Sequence, residues 1–212
     1  MRVQRGFTII ELIITLVVMG ILLVLGIVDL TSSQAKSRDS ERQADISNIS
    51  SALESYYTAG SDATDGSGSV AATDTYPVAD NLVGSTSGTP NALSLLRDLD
   101  SHTLSSPNGG TGVNGIALVG LANPATFDTC LDNNGGTSAA LTCVEADANA
   151  PSASKDNYLY VPYTQVDSNA DYHYCGATEM AASVTGECTG YSLFYWSETN
   201  NAVQEVDGRH DA

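Results

Sequence analysis

The chain has 212 residues and carries 25 Asp and Glu against 8 Lys and Arg, a formal charge of −17. So few cations disfavour direct nucleic-acid binding, because phosphate neutralisation needs clustered Lys and Arg. Apolar residues make up 42% of the sequence, enough for a core, but they are spread unevenly and the longest apolar run stands at the N-terminus.

Arg2 and Arg5 precede that run, which extends from Phe7 to Leu30 without an ionisable residue between Leu12 and Val28. As a helix it covers about 36 Å, enough to cross a hydrocarbon core of about 30 Å. Glu11 lies inside it, and a carboxylate at such a depth normally faces a partner rather than lipid. Lys36, Arg38 and Arg42 follow the run, so basic residues alone do not orient it. The acidic, cysteine-containing sequence downstream favours an outside position for the bulk of the chain and an inside position for the short basic stub. No small-x-small cleavage site follows the apolar run, which argues against an ordinary secretory signal.

The string Gly6-Phe7-Thr8-Ile9-Ile10-Glu11-Leu12-Ile13, behind a six-residue basic leader, resembles the type III signal of type IV pilins and pseudopilins. The resemblance implies cleavage after Gly6 by a prepilin peptidase, with residues 1–6 as the leader, and N-methylation of Phe7 as the new N-terminus. It further implies that Glu11 neutralises the terminal amine of a neighbouring subunit during subunit assembly. Elementary electrostatics agrees, because two opposite charges desolvated together recover part of a cost that either bears alone, and only in good geometry. Such a pair favours one axial register between subunits.

No proline occurs before Pro77, so the apolar helix is expected to run on through residues 31–59. Ile46, Ile49, Leu53 and Tyr56 or Tyr57 recur at helical spacing and mark an amphipathic face. Arg42 stands three residues from both Asp39 and Asp45, a pattern expected to form a solvated charged face with weak ion pairs. The stretch Arg38-Asp39-Ser40-Glu41-Arg42, with Ala52-Leu53-Glu54-Ser55-Tyr56-Tyr57, also resembles this region of bacterial pilins. Many pilins carry a late-anchor proline where this chain has Val28; Gly20 and Gly26 are the remaining weak points of the anchor.

Residues 60–212 are expected to form the globular head. Ser, Thr, Asp, Gly and Ala dominate from Gly60 to Thr75, which reads as a loop closed by Tyr76-Pro77. Asn91 to Leu99 carries four leucines and reads as a short packing helix. Four late segments, Tyr158–Tyr163, Tyr172–Cys175, Tyr191–Trp196 and Ala202–Val206, are short, aromatic or β-branched, and separated by turn formers, so they read as strands. The resulting fold class is α+β: a type IV pilin fold, with a long N-terminal α-helix whose first half, 7–30, is transmembrane, packed on a C-terminal antiparallel β-sheet head.

Cys130 and Cys143 bracket twelve residues, as do Cys175 and Cys188. Outside the cytoplasm four cysteines without a C-x-x-C read as disulfides, with three connectivities open. Sequential pairing is the one adopted, and Cys175–Cys188 resembles the C-terminal disulfide loop of pilins. Asp128, Asp132 and Asn134 offer oxygens for calcium, without the regular spacing of an EF-hand. The sequon Asn48-Ile49-Ser50 falls on the long helix. No nucleophile elbow, Walker loop or zinc-protease motif is present, and His102, His173 and His210 are scattered, so no catalytic site and no cofactor are expected.

The functional expectation is a structural subunit of a type IV pilus, for adhesion or twitching motility. It is a homopolymer with other pilin subunits, served by a prepilin peptidase and an inner-membrane assembly platform. It would sit in the cytoplasmic membrane before assembly and in an extracellular filament afterwards. The alternatives are a pseudopilin of type II secretion or of a competence filament and, from another class, a membrane-anchored module that binds calcium or another ligand.

Overall fold

The computed structural model describes residues 7–60, 74–82, 95–96, 99–108, 118–121, 124–134, 140–146, 153–165, 172–175 and 188–210. The breaker-free N-terminal sequence forms one helix, α1 (Ile9–Ala59), of 51 residues and so about 77 Å long. It runs through Gly20 and Gly26 without interruption. Gly60 ends it with φ 68°, its N–H donating to the Tyr56 carbonyl at 2.7 Å, a left-handed position that glycine takes at little cost.

The head contains α2 (Ala79–Leu82), the 3₁₀ turn η1 (Ser101–Leu104), β1 (Leu118–Val119), α3 (Pro124–Asn134), α4 (Ala140–Ala146), β2 (Tyr158–Gln165), β3 (Tyr172–Tyr174), β4 (Gly190–Ser197) and β5 (Ala202–Asp207). Strand order is β1-β2-β4-β5, with β3 also paired to β2. The four strands expected from the sequence are present and antiparallel, which confirms the α+β layout. Not anticipated were β1, which pairs parallel to β2, and the two helices α3 and α4 that connect them. Most of residues 60–75 and 91–99 lie outside the described residues, although Leu95 and Leu96 are described and buried.

Ile46, Ile49 and Leu53 are at most 1% exposed, so the helical spacing identifies the buried face of α1 correctly. Burying each such side chain contributes roughly 1.5–3 kcal/mol. Strand alternation and the β2–β4 register place Tyr158, Tyr160, Tyr191 and Leu193 on one sheet face and Leu159, Val161 and Phe194 on the other. Bonds from Tyr158 and Tyr191 to α1 show that the first face meets the helix. The second face is buried as well; α3 packs on β3 and α4 on β5, and their Phe127, Leu131 and Val144 belong to the same core. The tyrosines are therefore packing residues, as expected of a sheet.

Gly208 closes the sheet against Tyr191. Its N–H donates to the Tyr191 carbonyl at 2.9 Å, and a Cβ there would stand 2.8 Å from the Tyr191 ring. That ring cannot swing freely, because its hydroxyl is bonded to Ser50 and Glu54 of α1. Gly208→Ala is expected to cost about 1–3 kcal/mol by overpacking, measurable as a lower urea midpoint at unchanged m-value.

Candidate functional site

At its N-terminus α1 is built for exposure and for holding one carboxylate. Thr8 is the N-cap, in extended conformation, and its backbone N–H and hydroxyl both donate to Glu11 Oε2, at 3.1 and 3.0 Å. The Glu11 N–H donates back to the Thr8 hydroxyl oxygen at 3.3 Å. This is a capping box, which satisfies two of the helix's unpaired N–H groups and fixes the carboxylate one turn from Phe7. Glu11 therefore has a local partner, and Thr8-x-x-Glu11 is the sequence signature of that capping box. Phe7 is 89% exposed, and the large apolar residues from Ile9 to Leu25 are exposed in turn. Among the described residues α1 is the one helix long and apolar enough to cross a membrane. Gly6 lies outside the described residues.

At the other end of the exposed half, the β4–β5 hairpin grips α1. The Arg38 guanidinium forms a two-pronged pair with Glu198, donating from Nε to Oε1 at 2.9 Å and from Nη2 to Oε2 at 2.7 Å. Arg42 donates to Glu198 at 2.7 Å, to Asp39 at 3.0 Å and to the Lys155 carbonyl at 3.3 Å. Asp39 also accepts from the Ser197 hydroxyl and from the N–H groups of Glu198 and Thr199. Burial pushes the Asp39 carboxyl up, but the bonds from Thr199, Glu198 and Ser197 outweigh it and hold it down at about 2. The hydrogen bond from Arg38 is the main cause that holds Glu198 at about 2, burial opposing it and Arg42 assisting.

The expectation of a solvated face is therefore corrected. Arg42 has no exposed surface, and its ion-pair partners are Asp39 and Glu198 rather than Asp45. Asp45 turns to the sheet, where the Tyr158 hydroxyl donates to its Oδ2 at 2.7 Å. Local spacing could not reveal Glu198, which lies 156 residues from Arg42 and arrives only when the hairpin folds back.

A third carboxylate on α1 collects the C-terminal end. Glu54 Oε1 accepts from the hydroxyls of Tyr76 and Tyr191 and from the Arg209 N–H, at 3.0–3.2 Å. His210 Nε2 lies 3.3 Å from Glu54 Oε2, with its ring stacked on Tyr57 at 4.2 Å. His210 is thus a docking residue of the tail.

Cys130 and Cys143 are bridged and join α3 to α4. Cys175 and Cys188 are buried thiols that lie against each other without a bridge. Burial, and then the Cys175 thiol beside it, push the Cys188 thiol well above the usual range. Their carbonyls accept from the Ala79 and Tyr76 N–H groups, so both cysteines anchor the segment from Tyr76 to Ala79.

The calcium candidates fall on a helix rather than in a wrapping loop. Asp128 is committed to β3, accepting from the Tyr174 N–H at 2.7 Å and lying 3.4 Å from His173 Nδ1. Asp132 and Asn134 lie on α3 with Asp128, and their side chains are outside the described residues. Among the described residues no three His, Cys, Asp or Glu side chains are grouped to hold a metal ion.

The chain matches the prokaryotic N-terminal methylation motif over residues 1–27, which is the type IV prepilin-like signal. No curated protein and no solved structure matches the chain. The signal thus coincides with the capped helix start and most of the exposed apolar half of α1.

Proposed function

We propose that this chain is a structural subunit of a type IV pilus. One observation carries the reading: a prepilin-like signal runs directly into a helix whose first half is exposed and apolar and whose second half buries one face against a sheet domain. A helix about 77 Å long exceeds what a membrane requires, and bundling with copies of itself gives the exposed half a second place of burial. A prepilin peptidase cleaves after Gly6 and methylates Phe7. The new amine then meets Glu11 of a neighbour, while an inner-membrane platform lifts the subunit from the cytoplasmic membrane into an extracellular filament. Adhesion or twitching motility follows from the filament.

Intact-mass measurement of the membrane-extracted protein tests this. The expected result is loss of Met1 to Gly6 and gain of one methyl group; an uncut N-terminus would overturn the reading. Alkylation without reduction, in the same measurement, is expected to find no free thiol, because the Cys175 and Cys188 thiols lie against each other and an oxidising compartment would join them in a second bridge. Two alkylated thiols would contradict that pairing. Recovery of the chain in sheared surface filaments distinguishes a pilus subunit from a pseudopilin of type II secretion or competence, which shares the signal.

A further inference from the structure

Three acids of α1 face the head, and they are not equally provided for. Asp39 accepts from Arg42, a hydroxyl and two backbone N–H groups. Glu54 gathers two hydroxyls, a backbone N–H and His210. Asp45 stands between them, 5% exposed beside the buried Ile46, with the Tyr158 hydroxyl as its donor and no ion pair among the described residues. Tyr158 is itself 1% exposed. A buried carboxylate with one neutral donor is the least well provided for of these three acids, and proton uptake relieves it.

We propose that the seam between α1 and the sheet is an acid-tightened joint, in which protonation of Asp45 firms the union of helix and head. The charged and titratable groups facing it come from three elements. Glu41 on α1 disfavours its ionised form, His102 on η1 favours it when cationic, and Tyr158 on β2 favours it by its hydrogen bond. Arg42, three residues away, is occupied by Asp39 and Glu198. Burial is the largest influence, and it pushes the Asp45 carboxyl up to about 6. A folded-state value above the unfolded one gives a contribution fully present below about pH 4 and lost as pH rises through about 6. Asp39 and Glu198, held at about 2, stay ionised across that window, so the Arg42 clasp does not change while Asp45 titrates.

The test compares the full-length protein in detergent with Asp45→Asn, following thermal unfolding by the fluorescence of Trp196, the chain's single tryptophan, from pH 4 to pH 8. The difference between the two proteins cancels the general effect of net charge. Asp45→Asn is expected to melt on the order of 5 °C above the wild type at pH 8 and to coincide with it near pH 4. Tyr158→Phe is expected to retain the titration and move its midpoint to higher pH. A difference independent of pH, or a midpoint unmoved by Tyr158→Phe, would overturn the proposal. Should Asp45→Asn fail to fold, amide exchange at Ile46 and Ile49 in the wild type decides it: protection corrected for intrinsic rate must rise as pH falls below 6. Unchanged protection rejects the joint.

Discussion

Arg42→Ala is expected to lower the stability of the head by about 3–5 kcal/mol, the usual consequence of removing one partner from a buried charge cluster. The guanidinium has no exposed surface and joins α1 to the β4–β5 hairpin through Asp39, Glu198 and the Lys155 carbonyl. Its loss removes one charged partner from each of two carboxylates in a poorly hydrated seam and leaves a void the length of the side chain. Arg42→Lys is expected to restore only part of the loss, since an ammonium cannot reproduce the planar fork that spans two acids. Trp196 precedes the hairpin turn and reports the transition. Because Asp39 and Glu198 lie below their ordinary values, their contribution is present above about pH 4 and is lost as pH falls through about 2. An Arg42→Ala protein with wild-type stability at pH 7 would show that the clasp is incidental to the fold.

Glu11→Ala is expected to be processed normally after Gly6 and yet be missing from sheared filaments. The capping box holds the carboxylate at the start of α1, bonded through Oε2 to Thr8 and one turn from Phe7, where the proposed cleavage would create a cationic amine. The same contacts raise a competing explanation, that alanine merely weakens the helix start. Glu11→Gln separates the two. Glutamine can close a capping box with Thr8 but carries no charge. If pairing with a neighbour's amine is the requirement, Glu11→Gln fails to incorporate just as Glu11→Ala does; if local capping suffices, it incorporates and the charge-pair account falls.

Legibility differed between the two ends of the molecule for a physical reason. Helix α1 and its buried face were readable because helix periodicity and the absence of proline are local properties, and Ile46, Ile49 and Leu53 point where their spacing predicts. The four late strands were readable from their aromatic and β-branched content. Helix α3 was not, because among its described side chains it buries little besides Phe127 and Leu131, and its Asp128, Asp132 and Asn133 look like a polar loop in sequence. The capping box is legible too, since Thr8 and Glu11 stand three residues apart in the sequence.

By itself the sequence determined the prepilin-like signal, the apolar length of the anchor, the position of Glu11 and the α+β succession of elements. Each depends on residues within a few turns of one another. The tertiary structure alone decided the partners of the charges on α1: that Arg42 is buried against Glu198, that Asp45 meets Tyr158, and that Glu54 receives the C-terminal end. Those pairings close across more than a hundred residues, and burial rather than spacing sets which charges are held, which are strained and which titrate.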